Sequence, residues 1–170
     1  VKLSVTGLKG GHSGIDISLG RGNANKIFFR ILTEAACQLG VRLSSIEGGS
    51  LRNAIPREAF GLLAVKNKRI PEFIALVDDL VGKMKNELAA TEPGLTVTIE
   101  PVDTPRRVIN RKVQDKLTKS VMACPNGVAR MSDTMPGLVE TSSNLAIVKS
   151  DPKKKTVNIA CLMRSSVDSA

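Results

Sequence analysis

The order in which apolar residues change their spacing is the feature that most restricts the fold of this chain. Alternation typical of a strand gives way to helical spacing, then to two strands, a second helix and a fourth strand. The predicted strands cover residues 1–8, 41–48, 58–66 and 95–101, and the predicted helices cover 24–39 and 71–88. This β-α-β-β-α-β order is that of the ferredoxin-like fold. We therefore predict an α+β fold, an antiparallel sheet with its helices on one face.

Residues at the predicted helix ends agree with these boundaries. Asn23 suits the N-cap of the first helix, Gly40 suits its C-terminal end, and Pro71 suits the first turn of the second helix. The remaining residues predict a third helix from about Ile109 to Met122 and an irregular segment over 125–137. They also predict a β-hairpin of strands 138–149 and 156–164, and residues 165–170 resemble the start of a helix.

The length of 170 residues indicates one domain, with a ferredoxin-like core over 1–102 and a helix and β-hairpin extension over 103–170. No window approaches the roughly 18 apolar residues that a membrane span needs. The start lacks a targeting signal and an initiator Met, which suggests a segment of a longer protein. We therefore expect no membrane partner for this chain.

A net charge of +9 indicates an acidic partner, and nucleic acid is one candidate. The RNA-recognition fold has the same β-α-β-β-α-β order, so a single-stranded nucleic-acid-binding module is the alternative function. That fold stacks bases on aromatic side chains, whereas this chain has no Trp or Tyr and only four Phe. Only Phe60 lies in the strands that would present them, and we expect no nucleic-acid partner.

The three cysteines, Cys37, Cys124 and Cys161, are far apart and odd in number, so a disulfide framework is not expected. Cys37 and Cys161 are predicted to be small buried apolar side chains. A reducing, cytoplasmic location fits this cysteine usage. Because a structural zinc site needs about four protein ligands, one His and three scattered Cys do not predict one.

The only histidine, His12, lies in a glycine-rich loop, Gly7-Leu8-Lys9-Gly10-Gly11-His12-Ser13-Gly14. Glycines let a backbone approach a ligand closely, and an imidazole can donate a hydrogen bond or a proton near neutral pH. The alternative is a solvated loop residue. Asn53, between two glycines and a proline, could bind a ligand or form a turn. Arg164, at the end of a strand, could bind a carboxylate or form a surface ion pair.

Neither the Gly7–Gly14 loop nor the segment around Asn53 contains a nucleophile with a base and an orienting carboxylate. The Gly7–Gly14 loop also does not match a phosphate-binding loop. The residues from Val139 to Asn144 form a polar cluster in a strand-like run, which is unusual but not diagnostic. The chain alone therefore lacks the groups that hydrolysis requires.

Taken in order, several motifs resemble the lid or dimerisation domain of the zinc-dependent dipeptidase and carboxypeptidase family that includes carnosinase. The bacterial aminoacyl-histidine (Xaa-His) dipeptidase branch is the most similar. The motifs are Gly7–Gly14, Gly20–Ala24, Gly48–Pro56, Glu140–Ala146 and Cys161–Asp168, and the match spans nearly the whole chain.

The resemblance implies a role for each candidate residue. In this family a separate catalytic domain holds two zinc ions and a Glu general base. His12 matches a lid histidine that stabilises the oxyanion, Asn53 matches an asparagine that contacts substrate, and Arg164 is placed to bind the dipeptide carboxylate. A homodimer is also implied.

The metal-binding motifs of the family are absent from this sequence. The resemblance therefore implies a lid that, on its own, binds no zinc and cleaves nothing. A purely structural dimerisation domain with an inert His12 remains a third possibility.

Overall fold

One antiparallel sheet of seven strands organises residues 1–168, the part of the chain that the computed structural model describes. Three helices and a separate two-stranded ladder, β2 with β4, complete the fold. The elements in chain order are β1 (Lys2–Thr6), β2 (Gly11–His12), α1 (Ala24–Leu39), β3 (Arg42–Gly48), β4 (Ala54–Ile55), β5 (Ala59–Ala64), α2 (Ile70–Glu87), β6 (Thr96–Glu100), α3 (Arg111–Ala123), β7 (Gly127–Met131), β8 (Val139–Asp151) and β9 (Thr156–Ser165).

The strand order β6-β1-β5-β3 with α1 and α2 is the predicted ferredoxin-like arrangement, and the α+β class is confirmed. The long strand β8 extends this sheet, because its C-terminal half pairs with β3 through Gly48 and Val148. Its N-terminal half pairs with β7, and β9 follows its other edge along almost its whole length. Since α1 contacts both α2 and α3, the three helices lie on the same face of the sheet.

Helix α1 is the centre of the core. The Asn23 side chain accepts hydrogen bonds from the backbone N–H groups of Asn25 and Lys26, which caps the first turn, and Gly40 ends the helix with φ of 69°. Phe28 is fully buried and lies directly over Gly61 of β5, where a Cβ atom would come within 2.7 Å of its Cε2. The sheet must therefore carry a glycine at this point of contact.

Asparagine side chains join α1 to β8 in the gap between β3 and β7. The Asn23 amide donates to the Leu145 carbonyl (3.0 Å) and to Asn126 Oδ1 (2.7 Å). Asn126 Oδ1 also accepts from the Leu145 N–H at 3.0 Å. These bonds replace the ladder that a continuous neighbouring strand would provide.

Several sequence predictions differ from the structure. The segment predicted to be irregular contains β7, and the segments around His12 and Asn53 contribute the short ladder of β2 and β4. Cys37 and Cys161 are exposed rather than buried, because each lies on the solvent side of its element. The predicted helix start at 165–170 begins with the last residue of β9, and residues 169–170 lie outside the described part of the chain.

Candidate functional site

A two-residue ladder brings the two predicted loop residues, His12 and Asn53, next to each other. His12 of β2 pairs with Ala54 of β4, and the Ser13 N–H donates to the Asn53 carbonyl at 2.9 Å. His12 is half-buried and the Asn53 residue is exposed. The backbone of one loop thus holds the other, while the Asn53 side chain faces solvent.

Backbone and carboxylate contacts fix the turn that carries His12. The His12 N–H donates to Asp16 Oδ2 at 2.8 Å, and Asp16 also forms an ion pair with Arg21 at 3.5 Å. Arg21 in turn donates to the Gly10 carbonyl. Gly11 has φ of 143°, and a Cβ atom there would lie 2.6 Å from the Asp16 carboxylate. Only glycine fits between these groups.

The imidazole of His12 is held in one tautomer. Its Nδ1 atom accepts hydrogen bonds from the backbone N–H groups of Gly14 and Ile15, both at 3.2 Å. A neutral imidazole has one donor and one acceptor nitrogen, so an accepting Nδ1 places the proton on Nε2. The loop therefore presents His12 as a hydrogen-bond donor through Nε2.

Glu92, which the sequence analysis did not select, holds both ends of the same loop. It is 1% exposed, and its two carboxylate oxygens accept from the backbone N–H groups of Lys9 (2.8 Å) and Gly22 (2.9 Å). Nothing in the local pattern around Glu92 signals this role, because its partners lie 83 and 70 residues away in the sequence.

The third predicted residue, Arg164, lies beside His12 on the other side of Gly14. Arg164 is opposite Ser142 in the β8–β9 ladder. A Cβ atom on Gly14 would lie 3.2 Å from both the His12 Cε1 atom and the Arg164 Nε atom. The absence of a side chain on Gly14 thus lets the imidazole and the guanidinium approach each other.

A cleft of about 690 Å³ opens beside this ladder, and both His12 and Asn53 line it. Two cationic residues, Lys9 and Arg57, and two anionic ones, Glu47 and Glu58, also line the cleft; Arg164 is outside this set. Within residues 1–168, no three His, Cys, Asp or Glu side chains come together as metal ligands would. The arrangement offers hydrogen-bond donors from His12 and Asn53, and the Arg164 guanidinium beside His12 is a cation that suits an anionic group.

Comparison with known proteins shows a single family. Residues 3–92 match the sequence model of the peptidase dimerisation domain. The chain is 43% identical over 168 residues to the cytosol non-specific dipeptidase of Escherichia coli (strain K12), covering 99% of this chain and 34% of that protein. It superimposes on the crystal structure of aminoacylhistidine dipeptidase from Vibrio alginolyticus with a TM-score of 0.94 and 42% identity. That match covers 99% of this chain and 34% of the solved chain, so the chain spans about a third of each relative.

Proposed function

Because the chain belongs to the family of peptidase dimerisation domains, we propose that it is the lid and dimerisation domain of a metal-dependent dipeptidase that hydrolyses Xaa-His dipeptides. The observation that carries this proposal is the cluster of His12, Asn53 and Arg164, two of which share one cleft. Two related proteins named as dipeptidases support the activity. The nucleic-acid-binding alternative receives no support from the relatives.

In the proposed mechanism His12 acts on the transition state. Its Nε2–H would donate to the carbonyl oxygen of the scissile bond as negative charge develops there, a contribution that grows as the bond is attacked. The fixed tautomer supports this role, because the ring needs no reorientation or proton shift before it donates. The two other residues would position substrate: Asn53 through its side-chain amide, and Arg164 by a forked contact with the C-terminal carboxylate.

The zinc ions implied for the whole peptidase do not fit the described residues of this chain, which bring no set of metal ligands together. We therefore assign metal binding and the general base to the rest of the peptidase. The 170-residue chain by itself should cleave no dipeptide.

The family also supports a homodimer, formed through a sheet edge or a helix of this domain. In the seven-stranded sheet of the described residues, β6, β7 and β9 each pair with one strand only, and β9 offers the longest free edge, ten residues. An unpaired antiparallel edge readily pairs with a second copy. Sedimentation that shows only monomer at high concentration would count against a dimer of this chain.

A cytoplasmic location is proposed from the odd number of widely spaced cysteines and from the name of the E. coli relative. Among the helices of the described residues, none is long and apolar enough to cross a membrane.

The test is the substitution His12→Ala in the complete peptidase. We expect kcat to fall by about 10²–10³ with KM little changed, as for the loss of one oxyanion donor. Leu19→Ala, in the same loop, 51% exposed and without a hydrogen bond to His12, is the matched control and should leave both constants unchanged. An unchanged kcat in His12→Ala would indicate an inert histidine in a purely structural dimerisation domain.

Substrate preference is tested separately with pairs of dipeptides that differ only in the second residue. We expect a higher kcat/KM for Xaa-His than for Xaa-Ala. Equal values would remove the preference for histidine but leave the dipeptidase proposal intact.

A further inference from the structure

The polar cluster from Val139 to Asn144, in the N-terminal half of β8, contacts the segment around Asn53 through one side chain. Asn144 is 1% exposed and is the one buried residue of β8 with a side-chain amide. Its Nδ2 group donates to the Ala54 carbonyl at 2.8 Å and makes a longer contact, 3.5 Å, with the Arg52 carbonyl. These two carbonyls lie on either side of Asn53.

Three consecutive backbone carbonyls, those of residues 52 to 54, consequently accept hydrogen bonds from the rest of the domain. Asn144 contacts those of Arg52 and Ala54, and the Ser13 N–H binds the one between them, that of Asn53 itself. The backbone of this segment is therefore fixed on the protein side. Its exposed part is the Asn53 side chain, the group proposed to contact substrate.

The buried amide also has an unfavourable feature. Among the residues that the structure describes, the Asn144 Oδ1 atom is buried and has no hydrogen-bond partner. A buried acceptor without a partner costs free energy that an apolar side chain at the same place would not. The stability of β8 alone thus does not account for an asparagine here, whereas the donor at Nδ2 does.

We propose that Asn144 is a positioning residue, which orients Asn53 toward the substrate by holding the carbonyls on either side of it. This inference rests on the proposed function. The same strand also positions the carboxylate-binding side, since Ser142 lies opposite Arg164 in the β8–β9 ladder. One strand therefore sets the distance between the two substrate-binding residues, while His12 is fixed by its own loop.

The test compares three variants in the complete peptidase. Asn144→Asp keeps the size of the side chain and replaces the donor with a carboxylate oxygen facing two carbonyls. Asn144→Ala removes the donor and the unsatisfied acceptor together. Asn158→Asp, at an exposed position of β9, introduces the same charge as the first variant and is the control.

We expect KM for the dipeptide to rise at least tenfold in both Asn144 variants, with kcat within about threefold of the parent value and no change in Asn158→Asp. In an Asn53→Ala background, Asn144→Ala should have little further effect on KM, because the two residues act through one contact. A purely structural role would instead give additive effects. Additive effects, or variants that do not fold by circular dichroism, would overturn the proposal.

Amide hydrogen exchange distinguishes this inference from the proposed function, since it requires no catalysis. The Ser13 and Ala54 amides should exchange faster in Asn144→Ala than in Asn158→Asp. Unchanged exchange would refute the positioning role even if activity fell. Faster exchange in a protein that hydrolyses no dipeptide would refute the proposed function and leave the loop contact established.

Discussion

The first 102 residues and the last 66 described residues are built in different ways. Of the twelve bulkiest fully buried side chains, eleven lie in residues 1–102, and Leu145 is the single one that follows. Of fifteen exposed large apolar side chains, ten lie in residues 103–168. The first region supplies most of the close-packed apolar core. The second adds fewer side chains to it, among them Leu117 and Val121, and is also joined by strand pairing and by buried amides.

The contrast also applies to the candidate site, whose residues come from both regions. His12 and Asn53 lie on loops of the well-packed region, and Arg164 lies on β9 of the other. Their relative positions therefore depend on the contacts that join the regions, which include the pairing of β3 with β8 and the hydrogen bonds of Asn23 and Asn144. Substitutions that change core packing should be separable from those that change these joining contacts.

The largest effect is expected at the centre of the core. Phe28→Ala removes a ring that packs edge-to-face on Phe29, with centroids 5.7 Å apart, and should lower the free energy of unfolding by about 3–5 kcal/mol. The control is Met163→Ala on β9, where the residue is 72% exposed and the change should be within about 0.5 kcal/mol. Urea denaturation measures both. A comparable loss of unfolding free energy in the two variants would mean that residues 103–168 contribute as much to apolar packing as residues 1–102.

A smaller loss is expected at the contact between the regions. Asn23→Ala removes both the cap of α1 and the bonds to Leu145 and Asn126, and should cost about 2–3 kcal/mol. Asn110 caps α3 but accepts only from the Lys112 N–H, so Asn110→Ala should cost about 1 kcal/mol or less. Equal losses in thermal or urea unfolding would show that the bridging bonds add nothing to the cap.

The third prediction concerns reactivity rather than stability, and tests whether Cys124, which directly follows α3, contacts Cys161 of β9. The Sγ atoms of Cys124 and Cys161 lie 3.1 Å apart. Partial burial of the sulfur, followed by its hydrogen bond with Cys124, raises the pKa of the Cys161 thiol to about 11. With this pKa, Cys161 should stay protonated at neutral pH. Because the thiolate is the reactive form, the thiol should then react slowly.

Iodoacetamide labelling of Cys161, followed by mass spectrometry, should accelerate about tenfold per pH unit and level off only near pH 11. Exposed Cys37 serves as the internal comparison and should be labelled first at pH 7.5. Labelling of both at the same rate at that pH would mean that Cys124 and Cys161 are apart in solution.

Local patterns were sufficient to predict most elements of the well-packed region. The apolar spacing predicted α1, and Asn23 and Gly40 marked its ends, because a cap depends on residues within one turn. The pattern missed β7, whose five residues follow Pro125 and pair with β8 through two register shifts instead of a regular ladder. It also misjudged Cys161, because an apolar run does not reveal which face of the strand is covered.

The candidate site was predicted in part. His12 and Asn53 stood out because glycines surround a functional side chain. The contacts of Glu92 with Lys9 and Gly22, and those of Asn144 with Ala54, join residues 70 to 90 positions apart. Such contacts have no local signature, so a single sequence indicated polar residues at these positions without indicating what they hold.

The most direct test of the central claim is the protonation site of His12, observed by ¹⁵N NMR. The chain contains one histidine, so its imidazole nitrogens can be assigned without mutation. At a pH where the ring is neutral, the account predicts a proton on Nε2 and an unprotonated Nδ1 that accepts from Gly14 and Ile15. A proton on Nδ1, or rapid exchange between the two tautomers, would contradict the account, because the loop would then not present His12 as a fixed donor.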